Sequence, residues 1–199
     1  MQIPGNLLSR TVGTSMIRLD GDAHHRVQSA GAAPLKRRAV DRHWGTMIAG
    51  LAADIVGPLR TRDSAELMRD VAAPLTGACL REVLGLLAAT AADIERWSTA
   101  FIAGLVNNAD DPAVWAAATS ASDEVRDCVL AAIGRVRAEP DGSVVSAMAA
   151  AHPGNPLSTD EIAANIRLMI SGGFNDARRG RHARLAPHGA PGRGRAHPR

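Results

Sequence analysis

Tyrosine is absent from these 199 residues, and the other aromatic side chains amount to two Phe and three Trp. Aromatic strand formers are therefore scarce while Ala and Leu abound, a mix that favours helices over sheets. There are only two cysteines, Cys79 and Cys128, which excludes a small fold stapled by disulfides. No uninterrupted apolar run approaches the roughly 20 residues that a membrane span requires. The longest uncharged stretch, Gly142 to Thr159, is broken by Pro153, Gly154 and Pro156. The start, Met1-Gln2-Ile3-Pro4-Gly5, has neither the basic residues nor the apolar core of a secretory signal. The expectation is a soluble protein of a reducing, cytoplasmic compartment, large enough to bury one core.

Charge is unevenly distributed. The chain carries a formal +3, yet residues 178–199 hold seven Arg and no acid, so subtracting their +7 leaves residues 1–177 at −4. This divides the sequence into a mildly acidic, periodic body (1–177) and an Arg/Gly/Pro-rich tail (178–199). Three Pro, four Gly and a lone Leu185 give the tail no apolar face, and disorder is its expected state. A nucleic-acid-binding arm is one reading, since clustered Arg attracts phosphate. Against it, the tail has no aromatic residue to stack on a base. Out-of-frame codons of a GC-rich gene explain the tail composition better, in keeping with a chain that holds 22 Arg and only Lys36.

The body reads as all-α. Trp44, Met47, Ile48, Leu51, Ile55 and Leu59 mark one face of a helix over Val40 to Leu59. Asp63 or Ser64 is positioned to cap a second helix through Leu84, with a kink at Pro74. Helices over Asp93–Asn107, Asp111–Arg137 and Val144–Ala151 follow. Ser158-Thr159-Asp160-Glu161 has the form of a capping box opening a last helix through Ile162, Ile166, Met169 and Ile170. Trp44, Trp97, Phe101 and Trp115 belong to the core.

Several common sites are missing. Lys36 follows Leu35, so there is no Walker loop; CxxC and HExxH do not occur. His24 and His25 are adjacent, which on a helix points them about 100° apart, too divergent to share a metal. Cys79 and Cys128 lie among apolar helical neighbours and read as buried, inert thiols. Two segments remain. Asp20-Gly21-Asp22-Ala23-His24-His25-Arg26-Val27 places two hydrogen-bonding cations, His24 and Arg26, where they could meet an anionic group. Gly172-Gly173 sits in a helical stretch at a cost near 1 kcal/mol per Gly, which implies either close approach of another group or a helix-ending C-cap.

The order of these segments resembles the middle of a bacterial cytochrome P450, a haem-thiolate monooxygenase, over roughly residues 10–178. DGDAHHRV resembles the helix C motif, in which a His and a later Arg hold a haem propionate, so the resemblance assigns His24 and Arg26 as vestigial propionate contacts. LSTDEIAANIRLMISGGFND resembles the first half of helix I, which implies that Gly172, Gly173, Asn175 and Asp176 are vestigial positions of the oxygen pocket. AELMRDVAAPLTGACLREVLGL and DIERWSTAFIAGL resemble the helix E and helix F regions.

Departures from the family pattern are substantial. The motif spaces its His and Arg by four, but four residues after His24 stands Gln28. The usual acid–Thr pair of helix I is replaced by Asn175-Asp176, closer to a Gly-Gly-x-Asn-Glu-Pro-Arg variant. The N-terminal sheet, the Glu-x-x-Arg pair and the loop bearing the axial Cys have no counterpart, so no metal ligand is assigned. Without a thiolate there is no electron push for O–O cleavage. The expectation is a truncated, inactive P450, partial in fold from helix C to mid helix I and binding no haem. Its intact parent would be a haem- and O2-dependent monooxygenase of a hydrophobic small molecule, fed by a ferredoxin-type donor. A small helical protein with a basic nucleic-acid arm is the alternative.

Overall fold

The computed structural model describes residues 5–178, with side chains described over 9–174. The basic tail lies outside the described residues except for Arg178. All elements among the described residues are helical, in the order α1 (Gly5–Val12), α2 (Gly21–Ala32), α3 (Arg37–Ala39), α4 (Gly45–Val56), α5 (Ala73–Leu84), α6 (Ala91–Leu105), α7 (Pro112–Ala138), α8 (Val144–Ala150) and α9 (Thr159–Arg178). Short 3-10 turns occur at Met16–Arg18, Ala33–Leu35 and Gly57–Thr61, and π-helical turns at Val40–Trp44 and Leu67–Ala72.

Local chemistry sets the helix starts. Thr90 and Asp93 exchange hydrogen bonds at the head of α6, so this helix opens two residues before the expected Asp93. Asp111 accepts from Ala113 N at the head of α7, where Pro112 has no N–H to leave unpaired. The capping box expected at Ser158 forms: Glu161 N donates to Ser158 Oγ at 3.2 Å and Ser158 N donates back to Glu161 Oε2 at 2.8 Å. Gly85 ends α5 with φ 84°, a left-handed conformation that glycine adopts without steric cost.

The second expected helix is corrected in two respects. Its cap is Glu66, whose carboxylate accepts from Met68 N and Arg69 N, rather than Asp63 or Ser64. Pro74 falls in the first turn of α5, directly after the π-helical turn, so the wider turn absorbs the irregularity that a mid-helix kink would have carried.

The core gathers around α6, which packs on α5, α7 and α9. Trp97 and Phe101 are fully enclosed there with Ile94, Val125, Ile162 and Ile166. Trp115 is also buried, its ring covered by the Arg10 guanidinium 3.9 Å from the centroid. Trp44 differs: it is half-buried, with Nε1–H donating to Pro34 O at 2.9 Å. No residue of α4 is buried, although its sequence GTMIAGLAADIV is almost wholly apolar. The apolar face expected over Val40 to Leu59 therefore exists but is only partly covered.

Candidate functional site

The two segments singled out in the sequence lie on α2 and α9, joined across their starts. Met16 N, in the turn before α2, donates to Asn165 Oδ1 of α9 at 2.9 Å, and Asn165 Nδ2 donates to Glu161 O at 2.8 Å. Asn165 is buried and both ends of its amide are used. Its role was missed in the sequence, where the only signal is a polar residue inside an apolar helical stretch.

His24 is half-buried, and its Nδ1 lies 2.9 Å from Met16 O. A carbonyl can only accept, so this contact fixes the proton on Nδ1 and leaves Nε2 as the acceptor of the neutral ring. Arg26 is turned elsewhere. Its Nη1 donates to Asn155 O at 3.2 Å and its Nη2 pairs with Glu161 Oε1. Two residues apart on a helix is about 200° of rotation, so His24 and Arg26 do not converge on one group. Arg26 acts as a clamp between α2 and the capping box of α9. Burial opposes charge on Glu161, yet the hydrogen bonds from Ser158 and the nearby Arg26 guanidinium hold its carboxyl below the usual range.

Gln28, one turn beyond His24, lines a cavity of about 210 Å³ between α2 and α9. Leu35 and Lys36 continue the α2 side, and Met16, Met148 and Met169 form much of the rest. Gly172 follows Met169 on the same face of α9, and a Cβ built there meets nothing within 4 Å. At Gly173 the opposite holds, with Leu80 Cδ2 3.1 Å from the corresponding position. The pair thus serves an open face and a close helix contact respectively. It does not end the helix, since α9 runs on to Arg178. Asn175 and Asp176 lie within that last stretch of α9, and their side chains are outside the described residues.

Both thiols are half-buried, less enclosed than expected, and burial pushes each upward from its ordinary pKa. Cys79 faces a separate apolar groove of about 350 Å³ with Ile48, Leu75, Val83 and Gly173. Cys128 of α7 packs against the core. Among the described residues, no three His, Cys, Asp or Glu side chains converge on a possible metal position. The only sulfur in the α2–α9 cavity is thioether sulfur, from its three Met. With His24 Nδ1 held by Met16 O and Arg26 by Asn155 and Glu161, neither residue offers a converging donor to a propionate, and no cysteine lines this cavity to serve as a thiolate.

A helix carrying His24 beside a long, continuous helix that contains Gly172-Gly173, with α5, α6 and α7 packed around the latter, is the arrangement of a cytochrome P450. The chain is P450-like: it has an all-α part of that fold. Mycobacterium marinum cytochrome P450 CYP268A2 in complex with pseudoionone superposes with a TM-score of 0.72 at 20% identity, covering 89% of this chain and 43% of that one. CalO2 superposes with a TM-score of 0.70 at 29% identity, over 86% of this chain and 42% of the other. Among curated proteins, the steroid C26-monooxygenase of Mycolicibacterium smegmatis is 27% identical over 171 residues, 82% of this chain and 40% of that protein. The chain therefore spans less than half the length of the relatives it matches. No protein-family model matches it.

Proposed function

We propose that this chain is a P450-derived helical body that does not itself activate oxygen. The observation that carries the reading is the placement of sulfur: Cys79 lines a separate groove and Cys128 packs against the core, away from the α2–α9 cavity, and burial pushes both thiols up from their ordinary pKa. In this reading His24 retains the position of a propionate contact, Arg26 has become a structural clamp, and Gly172 leaves its face of α9 open; Asn175 and Asp176 stand for the oxygen-pocket positions by sequence alone. The likeness to a steroid C26-monooxygenase supports a monooxygenase ancestry with a hydrophobic substrate, and the P450 fold supports an external electron donor of ferredoxin type. A cytoplasmic setting accords with the finding that no helix among the described residues is long and apolar enough to cross a membrane.

Absorption spectroscopy of the purified chain titrated with haem, reduced, and exposed to carbon monoxide tests this. The expected result is no red-shifted, thiolate-type Soret band. Such a band, lost in Cys79→Ser or Cys128→Ser, would show a thiol reaching the iron and overturn the proposal.

A further inference from the structure

We infer that the cavity between α2 and α9 binds a medium-chain carboxylic acid, its tail among the methionines and its carboxylate held by Lys36 and Gln28. The size sets the class of ligand. An apolar cavity of ~150 Å³ takes the six carbons of benzene, so about 210 Å³ takes on the order of eight carbons. The lining is apolar on the inside, with Val27 and Met148 buried and Met16 and Met169 half-buried. Unbranched thioether side chains re-pack easily around a flexible chain.

Polarity is confined to three lining residues, and one is already committed. Asn165 has both ends of its amide satisfied within the protein. Lys36 and Gln28 are exposed, and neither side chain is tied to another described residue. Lys36 is also the only lysine in the sequence. Its methylenes can cover the apolar wall while the ammonium stays in water at the rim, where a carboxylate would meet it. Glu161, the acid nearest to Asn165 along α9, is neutralised by Arg26, so it does not repel an incoming anion. A site of this shape selects an apolar chain with a negative end over one with a neutral end. It does so without any contribution from bound haem, and therefore stands or falls separately from the reading above.

Calorimetric titration of the full chain with octanoate and with octanol tests the inference. Octanoate is expected to bind about tenfold more tightly than octanol, the difference one charge-assisted hydrogen bond supplies. Lys36→Met should remove that preference, lowering octanoate affinity about tenfold and leaving octanol unchanged. Gly31→Leu should abolish binding of both, because a side chain at Gly31 grows toward Met148 and Met169, whose atoms stand 3.6 and 3.7 Å from the position of its Cβ. Lys36 is exposed and its replacement leaves the core intact, so this variant decides the matter if Gly31→Leu misfolds. Equal affinity for acid and alcohol, or unchanged octanoate binding in Lys36→Met, would overturn the proposal. So would saturation by metal-free protoporphyrin with none by octanoate, which would make the cavity the edge of a tetrapyrrole site.

Discussion

Glu124 shows how much a single carboxylate can organise. It accepts from Arg96 Nη2 at 2.6 Å, Trp97 Nε1 at 2.9 Å and Ser120 Oγ at 3.1 Å, joining α7 to α6 beside the largest buried ring. The Arg96 hydrogen bond, with those from Trp97 and Ser120, lowers its pKa to about 2. A carboxylate depressed by folding contributes stability above its unfolded pKa and loses it as pH falls through the folded value. Stability is thus expected to decline as pH drops from about 4.5 to about 2, and Glu124→Gln to flatten part of that slope. Since the side chain is 38% exposed, the effect should stay below about 1 kcal/mol, measurable by urea unfolding across that pH range. Gly77 offers a sharper residue-scale prediction. A Cβ there would stand 2.5 Å from Ala91 O, a backbone atom at the head of α6 that has no freedom to retreat. Gly77→Ala is expected to destabilise the protein by about 1–3 kcal/mol in the same assay, by forcing α5 and α6 apart.

At the scale of elements, the sequence was a good guide to helices with strong local punctuation. Ser158 to Glu161 announced α9 because a cap is a contact between near neighbours, and the expected span Asp111–Arg137 matches α7 at Pro112–Ala138. The π-helical turns were not legible, since an apolar repeat near 3.6 leaves one extra residue in a turn unmarked. Nor was the role of Arg26, because its partners, Asn155 and Glu161, are more than a hundred residues away. The cysteines were placed on the right faces but judged too buried; periodicity reports a face, not what covers it. α4 makes the same point on a larger scale. Its apolar face was read correctly, yet Met47, Ile48, Leu51 and Ile55 are left half-buried beneath α5 and the adjoining turns, and Val56 beside them is 40% exposed. Such a face drives self-association. Ile48→Glu is expected to reduce it in sedimentation velocity, with little loss of melting temperature because Ile48 is only half-buried.

For the molecule as a whole, coverage is lopsided. The α6–α7–α9 side is closed and well filled, whereas α4 and α5 border an apolar groove and Gly172 faces open space. That contrast explains how a chain spanning less than half the length of the relatives it matches can hold a defined core. At the head of α9, Glu161 joins that helix to α2. One oxygen closes the capping box on Ser158, and the other holds Arg26 of α2. The start of α9 and the seating of α2 thus share one side chain, and neither can fray alone. Breathing of the protein at this end should be a single concerted opening, in which the amides of both helices become exchangeable with solvent together.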